Sequence, residues 1–424
     1  MPSNTHEDTS VDQEEWLPAL CRRLNANDPS LVKIELSSAD GHTLNDHETM
    51  TLSDSLRKSK QVTRLSLRNI KISKRGALFL GPAIKNTTSL RTLQLEDCVD
   101  EQGHVADVLA MALFFNRSIE TLHVRGSWDD PNRAVSLGFL MHTATLTEVR
   151  ICHNQIDATL VKVIATGLKT NTSLRILDFT DNGMDDQAVA ELASGLAPNS
   201  AIEFLSLDFN AFGDVGVKAL ADMLAVNSSI TELHLFGNRV SATGAEHLAA
   251  ALESNSTLQS LILSFNQIGD RGVVALAEAL TVNTTLTKIW FPSNSIGFEG
   301  MQAFADHLPH MKGLEQLNVG LLLSDEAKEA LVEGLKSNLN LSVLEMEQPI
   351  YEEFEDGTPG GGDLDFYLRL NRSGRRLVRD AKVPSGLWAD ILAGTKEHAR
   401  EDGAPDVLHY LLREKPELLD LSSR

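Results

Sequence analysis

Apolar and polar positions follow one phrase that recurs along most of the chain: apolar-x-x-leucine-x-leucine-x-x-asparagine. In the central copies the first apolar residue returns every 28 residues, at Leu146, Leu174, Ile202, Ile230, Leu258, Leu286 and Leu314. Looser copies, with steps of 27 to 31 residues, begin at Leu31, Val62, Leu90, Ile119 and Leu341. The chain therefore carries about twelve copies of one unit, which indicates a repeat architecture.

Each copy predicts one strand and one helix. Residues 258–266 alternate with a period of two, whereas residues 267–283 place Val273, Leu276 and Leu280 at helical spacing. A single strand and helix cannot bury this apolar stripe, so the copies must stack on one another. We therefore predict an α/β fold, a right-handed horseshoe solenoid with a parallel sheet on its concave face and helices on its convex face.

The asparagine that ends the phrase has a physical role, because the chain leaves the strand there. A short amide can bond backbone groups that would otherwise be buried without partners. Cys98 takes this position in the third copy, and the outer copies lose the pattern at Ile70, Ser127, Leu322 and Pro349. The asparagines themselves are Asn154, Asn182, Asn210, Asn238, Asn266 and Asn294.

The copy length, the full helix and phrases such as residues 266–272 resemble the ribonuclease-inhibitor type of leucine-rich repeat, over about residues 31–349. That type includes the ribonuclease inhibitor, the sensing regions of NOD-like receptors and the activating protein of the Ran GTPase. The resemblance implies the solenoid fold. It does not select a function, because this architecture serves inhibitors, sensors and GTPase activators.

One long domain is expected over residues 31–349, since a repeat array adds length without adding separate cores. Residues 1–10 are predicted to be disordered. Residues 11–30 are predicted to form a cap helix, because Trp16, Leu17, Leu20 and Leu24 have helical spacing. Such a cap would cover the exposed end of the first repeat.

After the solenoid, residues 350–365 have the composition of an acidic, Gly-rich linker. Residues 366–424 are predicted to form a small basic and helical unit, and they resemble a C-terminal extension of microalgal leucine-rich-repeat proteins. Residues 366–382 contain six basic side chains and one acidic side chain, so their net charge is 6 − 1 = +5. The arginines among them are Arg369, Arg372, Arg375, Arg376 and Arg379. Two explanations stay open: docking onto the acidic solenoid, or binding of a phosphate-bearing or acidic partner.

The net charge of −21 argues against nucleic-acid binding, because a surface that neutralises phosphates is normally basic. It favours basic protein partners. No apolar run approaches membrane-spanning length, and residues 1–15 lack the apolar core of a secretory signal. Three cysteines do not suggest a disulfide framework. We expect a cytoplasmic protein, with the nucleus as the alternative.

Acceptor patterns for N-glycosylation recur at one repeat position, between the helix and the next strand. Asparagine ends helices well, and the Ser or Thr that follows suits a turn, so a structural explanation is favoured over glycosylation. The positions are Asn86, Asn116, Asn171, Asn227, Asn255 and Asn283, with a further pattern at Asn371.

Function in such a solenoid is expected from sheet residues that lie outside the apolar phrase, because they point away from the core. The fifth and seventh positions change character along the array, with charged residues in its early-to-middle copies and apolar residues at Phe236, Ile262 and Trp290 in later ones. The candidate charged residues are Arg125, Arg150, Asp178, Asp181 and Asp208. The candidate apolar residues are Phe209, Phe236, Ile262, Phe265 and Trp290. An exposed aromatic cluster is typical of a binding surface, although Phe209 and Phe265 at the eighth position could instead fold over the sheet edge.

Catalytic and cofactor signatures are missing from the sequence. His123, Cys152 and His153 could approach one another as zinc ligands, but no fourth ligand is fixed by the pattern. We therefore predict a non-enzymatic scaffold, without cofactor or metal, that binds a protein partner on its concave face. The alternative is a GTPase activator resembling the Ran activator, with a small GTPase as its partner. The oligomeric state stays open.

Overall fold

The computed structural model describes residues 16–37, 43–98, 104–126, 138, 140–320, 324–345, 367, 368 and 371. The chain divides into two compact units. The first unit contains residues 1–184 and 194–205, and the second contains residues 185–193 and 206–424.

In the described residues of the first unit, helices follow strands along most of the chain, and the short strands β2 and β4 come between a longer strand and the next helix. Six strands pair in parallel in chain order, β1, β3, β5, β6, β7 and β8, and the short strands β2 and β4 pair separately. Their bounds are α1 (Trp16–Asn25), β1 (Lys33–Ser37), β2 (Thr43–Leu44), α2 (Asp46–Lys58), β3 (Arg64–Arg68), β4 (Lys71–Ile72), α3 (Lys74–Asn86), β5 (Thr92–Glu96), α4 (His104–Phe115), β6 (Thr121–Arg125), β7 (Glu148–Cys152), α5 (Ala158–Leu168) and β8 (Ile176–Asp178).

The second unit repeats the same alternation, with parallel pairing of β10, β11, β12, β13 and β14 in chain order. Helix α6 (Asp186–Leu196) and strand β9 (Phe204–Ser206) each contain residues of both units. The remaining bounds are α7 (Asp214–Leu224), β10 (Glu232–His234), α8 (Ala242–Ser254), β11 (Ser260–Ile262), α9 (Gly269–Val282), β12 (Lys288–Trp290), α10 (Phe298–His307), a 3-10 turn (Leu308–His310), β13 (Gln316–Asn318), α11 (Asp325–Ser337) and β14 (Val343–Glu345).

The predicted α/β solenoid of strand-and-helix repeats is confirmed. The leucines of the phrase, such as Leu261 and Leu263, are fully buried, and so are apolar helix residues such as Leu276. The horseshoe curvature, the handedness and the domain bounds stay predictions. The linker at 350–365 and most of the extension at 366–424 lie outside the described residues.

Asparagines at the strand ends bond as the sequence predicted. The Asn266 amide nitrogen lies 2.9 Å from the carbonyl of Leu235 in the preceding repeat and 2.9 Å from that of Leu263 in its own. Its oxygen accepts from the backbone N–H of Val240. The Cys98 thiol, which replaces the amide, lies 3.2 Å from the carbonyl of Leu67. These bonds pair backbone groups that the stacked repeats remove from water.

A second row of asparagines lies at the helix-to-strand turns. The Asn283 amide donates to the carbonyls of Leu252 and Asn255 in the preceding repeat, and its oxygen accepts from the N–H groups of residues 285 and 286. Asn116, Asn171, Asn199, Asn255 and Asn338 donate in the same way. Because Asn116, Asn171, Asn255 and Asn283 are buried, the structure supports the structural explanation of the glycosylation patterns at these four positions. Asn199 and Asn338 belong to the row without carrying such a pattern. Asn86 differs, since it is exposed and donates within its own helix.

Asn371 joins this second row although it lies beyond the regular repeats. Its amide donates to the carbonyls of Asn338 and Leu341, and nearby Leu368 is buried. This short part of the predicted extension therefore packs on the last repeat. The arginines of the basic patch lie outside the described residues.

We expect Asn266→Ala to lower the free energy of unfolding by about 2–4 kcal/mol, because buried carbonyls and one N–H would lose their partners. Urea unfolding followed by circular dichroism measures this change. The matched control is Gln267→Ala at the next, exposed position, which should change stability by less than about 0.5 kcal/mol. Equal stability of the two variants would contradict the role assigned to the amide.

Candidate functional site

The strand register places the predicted columns side by side within each unit. In the second unit, residue 234 aligns with 262, 290, 318 and 345 across five neighbouring strands. In the first unit, residue 35 aligns in the same way with 66, 94, 123, 150 and 178. The fifth position of the phrase therefore forms one row across the strands of each unit.

A groove of about 620 Å³ runs over the strands of the second unit. Residues of the third, fourth, fifth, seventh and eighth positions of the phrase line it. They are Asp208, His234, Phe236, Ile262, Ser264, Phe265, Lys288, Trp290, Pro292, Asn318, Leu344 and Glu345. Five of these lining residues were among the candidates chosen from sequence. We call this surface the strand-face groove.

Three phenylalanines stack beside the groove in consecutive repeats. The Phe236 ring centroid lies 4.7 Å from that of Phe209 and 4.8 Å from that of Phe265. The outer rings nevertheless stay 54 % and 52 % exposed, for Phe209 and Phe265. The two outer rings pack on a neighbour and still present an apolar face to solvent. Their role in binding stays a prediction. We call the three rings the phenylalanine row.

Phe209 and Phe265 occupy a backbone conformation that suits other residues better. The eighth position of the phrase is left-handed in successive repeats, where Asn69, Asp97 and Ser293 have φ of 49°, 51° and 58°. Phe209 and Phe265 adopt φ of 53° and 55° at this same position. Such values are uncommon for bulky side chains and destabilise them by roughly 1–2 kcal/mol. The two rings are therefore held at these places against a local conformational preference.

Gly237 is the eighth residue of the repeat between them, with φ of 68°. A Cβ atom at Gly237 would come within 2.8 Å of the Phe209 ring. Glycine at this place therefore leaves room for Phe209 to lie against Phe236.

Ile262 differs from its expected exposure. It is only 5 % exposed, because it lies in register between His234 and Trp290 on the flanking strands. Ile262 forms part of the floor of the groove, and the larger neighbours form its rim.

A lysine ammonium lies over the ring of Trp290. The Lys288 ammonium lies 3.9 Å from the centroid of the Trp290 ring, which is a cation–π distance. Lys288 was missed from sequence because only the fifth, seventh and eighth positions were considered. It occupies the third position, which has the same parity and therefore faces the same side of the sheet.

Carboxylates lie toward both ends of the groove. Asp208 accepts the backbone N–H of Phe236 at 2.7 Å, and its other oxygen lies 3.8 Å from Nδ1 of His234. His234 Nε2 lies 2.7 Å from Glu232. At the far end, Glu345 accepts from the amide of Asn318 at 3.0 Å. These bonds orient Asp208, His234 and Glu345. Of the three, only Asp208 was a candidate from the sequence.

The charged candidates of the first unit pair with one another. Arg150 donates to Glu148 at 2.6 Å and to Asp178 at 3.0 Å, while Glu148 also bonds His123. Burial opposes ionisation of Glu148, but the hydrogen bonds from Arg150 and His123 outweigh it and lower the pKa of this carboxyl. Burial likewise opposes the charge of Arg150, whose pKa is raised by Glu148 and Asp178.

Asp181 lies 2.5 Å from His153, and Arg125 is an exposed residue in register with Cys152. Ion pairs therefore hold Arg150, Asp178 and Asp181 in place. Their role in binding a partner stays a prediction.

The zinc alternative finds no support in this geometry. His123 and His153 each bond a carboxylate. Burial raises the pKa of the Cys152 thiol to about 12, which disfavours the thiolate that a metal requires. Across the described residues, no group of three or more His, Cys, Asp or Glu is placed to hold a metal ion. Within the same part of the chain, no helix is long and apolar enough to cross a membrane.

The family described as Leucine Rich repeat matches the chain at residues 170–193, 199–221, 226–249 and 254–277. The chain therefore contains leucine-rich repeats, as the spacing predicted. The ribonuclease-inhibitor type and the microalgal likeness stay predictions. These matches cover the phenylalanine row and end before Lys288 and Trp290.

Among the solved structures that resemble the chain are the following two. One, titled "Leiomodin-1 Actin-Binding Site 2 (ABS2)", is 20% identical, with a TM-score of 0.26 over 39% of this chain and 78% of that one. The other, the complex of Rad7 and Elc1 in yeast, is 16% identical, with a TM-score of 0.44 over 82% and 87%. Both scores are below 0.5, and neither structure carries an argument about function. No curated protein sequence matches the chain.

We expect Phe265→Asn to change the free energy of unfolding by less than about 1 kcal/mol. Asparagine relieves the left-handed strain, by about 1 kcal/mol, and this offsets the lost ring stacking of about 0.5–1.5 kcal/mol. Phe212→Ala, at a fully buried core ring, should destabilise by about 3–5 kcal/mol. Urea unfolding compares the two variants. A loss at Phe265 as large as at Phe212 would show that the exposed ring serves folding.

We expect Glu148→Gln to lower stability by about 1–2 kcal/mol at pH 7, through loss of its charge-assisted bonds. Because the folded-state pKa of Glu148 is lowered, its contribution is present above the unfolded pKa and disappears as pH falls through the folded pKa. The difference from the wild type should therefore shrink below about pH 4. Thermal unfolding at pH 7 and pH 3.5 tests this, with the exposed Glu120→Gln as control. A difference independent of pH would contradict it.

Proposed function

We propose that this chain is a non-enzymatic recognition module that binds another protein through the strand-face groove and the phenylalanine row. The observation that carries the proposal is the placement of Phe209 and Phe265. Both rings are more than half exposed and both lie on left-handed backbone. Neither condition favours folding, so a binding role accounts for them better.

The chemistry of the surface supports a protein as ligand. Solenoids use their extended sheet faces to bind partners, and aromatic side chains are enriched among the residues that contribute most to such interfaces. Phe236 and Trp290 are partly exposed within the groove, and Phe209 and Phe265 flank Phe236. Together they offer rigid apolar area that loses little conformational entropy on binding.

A scaffold also accounts for the polar groups of the groove. Asp208 holds the N–H of Phe236, and His234 bonds Glu232. These bonds fix the shape of the groove, a structural role that needs no reaction. For the compartment we propose the cytoplasm, with the nucleus as alternative. The three cysteines are free thiols, which suits a reducing compartment.

We expect the double variant Phe236→Ala/Trp290→Ala to lose its partner while keeping its fold. Each ring should contribute about 2 kcal/mol or more if it acts as an anchor, which is about 30-fold in affinity for one ring and roughly 700-fold for both if the contributions add. Affinity capture from native lysate, read by mass spectrometry, identifies proteins bound by the wild type alone. Titration calorimetry with the purified partner then gives both dissociation constants.

The matched control is Phe115→Ala/Phe298→Ala, which removes two aromatic rings that are nearly half exposed on helices. This control should retain the partner. Equal capture by all three proteins would exclude the groove as the binding surface, and a small GTPase captured equally by all three would favour the GTPase-activator alternative.

A further inference from the structure

The charges of the strand-face groove select one kind of ligand. Resting on the proposed function, we propose that the bound segment of the partner is an extended peptide with a basic residue at each end and apolar residues between them. Asp208 and Glu232 would meet one basic end and Glu345 the other. The phenylalanine row and Trp290 would meet the apolar middle.

The charged side chains described at the strand-face groove favour a cation at each end of the groove. Among the charged groups at or beside the groove, three are carboxylates, on Asp208, Glu232 and Glu345, and one is the ammonium of Lys288, giving 1 − 3 = −2 without His234. The whole chain carries −21. A basic segment is therefore attracted before contact, and its charges are best paired at the carboxylates.

The middle of the groove disfavours a cation. Lys288 already lies over the Trp290 ring, 3.9 Å from its centroid, and so covers the face that another cation would use. A second cation there would be repelled by the Lys288 ammonium. The surface beside it is apolar, formed by Phe236, Ile262 and Phe265. Aliphatic or aromatic side chains fit this part.

The distance between the acidic ends sets the spacing of the basic residues. Asp208 and Glu345 belong to repeats five steps apart, which corresponds to about 24 Å at 4.8 Å per strand. An extended chain covers about 24 Å in about seven residues. A helix rises only about 1.5 Å per residue and would need about sixteen residues for the same distance. An extended segment is therefore the shorter ligand that reaches both acidic ends.

Selection from a phage-displayed library of random twelve-residue peptides tests this composition. The full chain is the bait, and Phe236→Ala/Trp290→Ala is the counter-selection. We expect the enriched peptides to carry Arg or Lys about seven residues apart with apolar residues between them. Enriched peptides that depend on the rings but are neutral or acidic would overturn this inference and leave the proposed function intact. Peptides that bind both baits equally would contradict both.

Charge variants then test which carboxylates act. For an enriched peptide made synthetically, Asp208→Asn/Glu345→Gln should weaken binding about tenfold at low salt and less at 0.5 M NaCl. Asn at 208 keeps an oxygen for the N–H of Phe236, so the groove should keep its shape. The control Glu253→Gln/Glu329→Gln changes net charge equally at exposed helix positions, and it should alter affinity less than twofold. If both variants weakened peptide binding equally, the effect would come from net charge alone. That result would overturn the assignment of Asp208 and Glu345 to the two basic ends of the peptide.

Discussion

The backbone groups at the end of each strand must find hydrogen-bond partners, and the other features of the repeat depend on this requirement. Stacking removes these carbonyl and N–H groups from water, and the asparagine amide pairs them, as Asn266 does for Leu235, Leu263 and Val240. Because two of these partners, Leu235 and Val240, belong to the preceding repeat, no repeat is complete alone. The row at the helix-to-strand turns follows the same logic, and Asn371 extends it past the regular copies.

The same strand end creates the position that carries the candidate site. The chain turns sharply before the asparagine, so the eighth residue takes left-handed backbone in repeat after repeat. Small or polar residues fit this backbone conformation and add no apolar side chain to the surface. Phe209 and Phe265 fit poorly, and their rings stand beside Phe236 with Gly237 making room. The left-handed turn that each repeat requires therefore also fixes the position of two exposed aromatic rings.

Sequence reasoning recovered the apolar part of the site better than the charged part. Position in the phrase decides which face a residue takes, so Phe236, Phe265 and Trp290 were found as groove residues. Arg150 and Asp178 were also candidates, but they lie in the first unit and do not line the groove. Their pairing with each other was not foreseen. Lys288 was missed because the third position was left out, and Ile262 was expected to be exposed although its flanking residues cover it.

The sequence alone determined the repeat, its strand and helix, and the column to which each residue belongs, because a fixed period forces equivalent residues into equivalent places. The tertiary structure decided which neighbours in a column touch. Only the packed strands show that Lys288 covers Trp290, that Glu148 joins His123 to Arg150, and that Phe236 lies between two exposed rings. Side-chain contacts between repeats depend on rotamers and local backbone angles, and no period in the sequence specifies these.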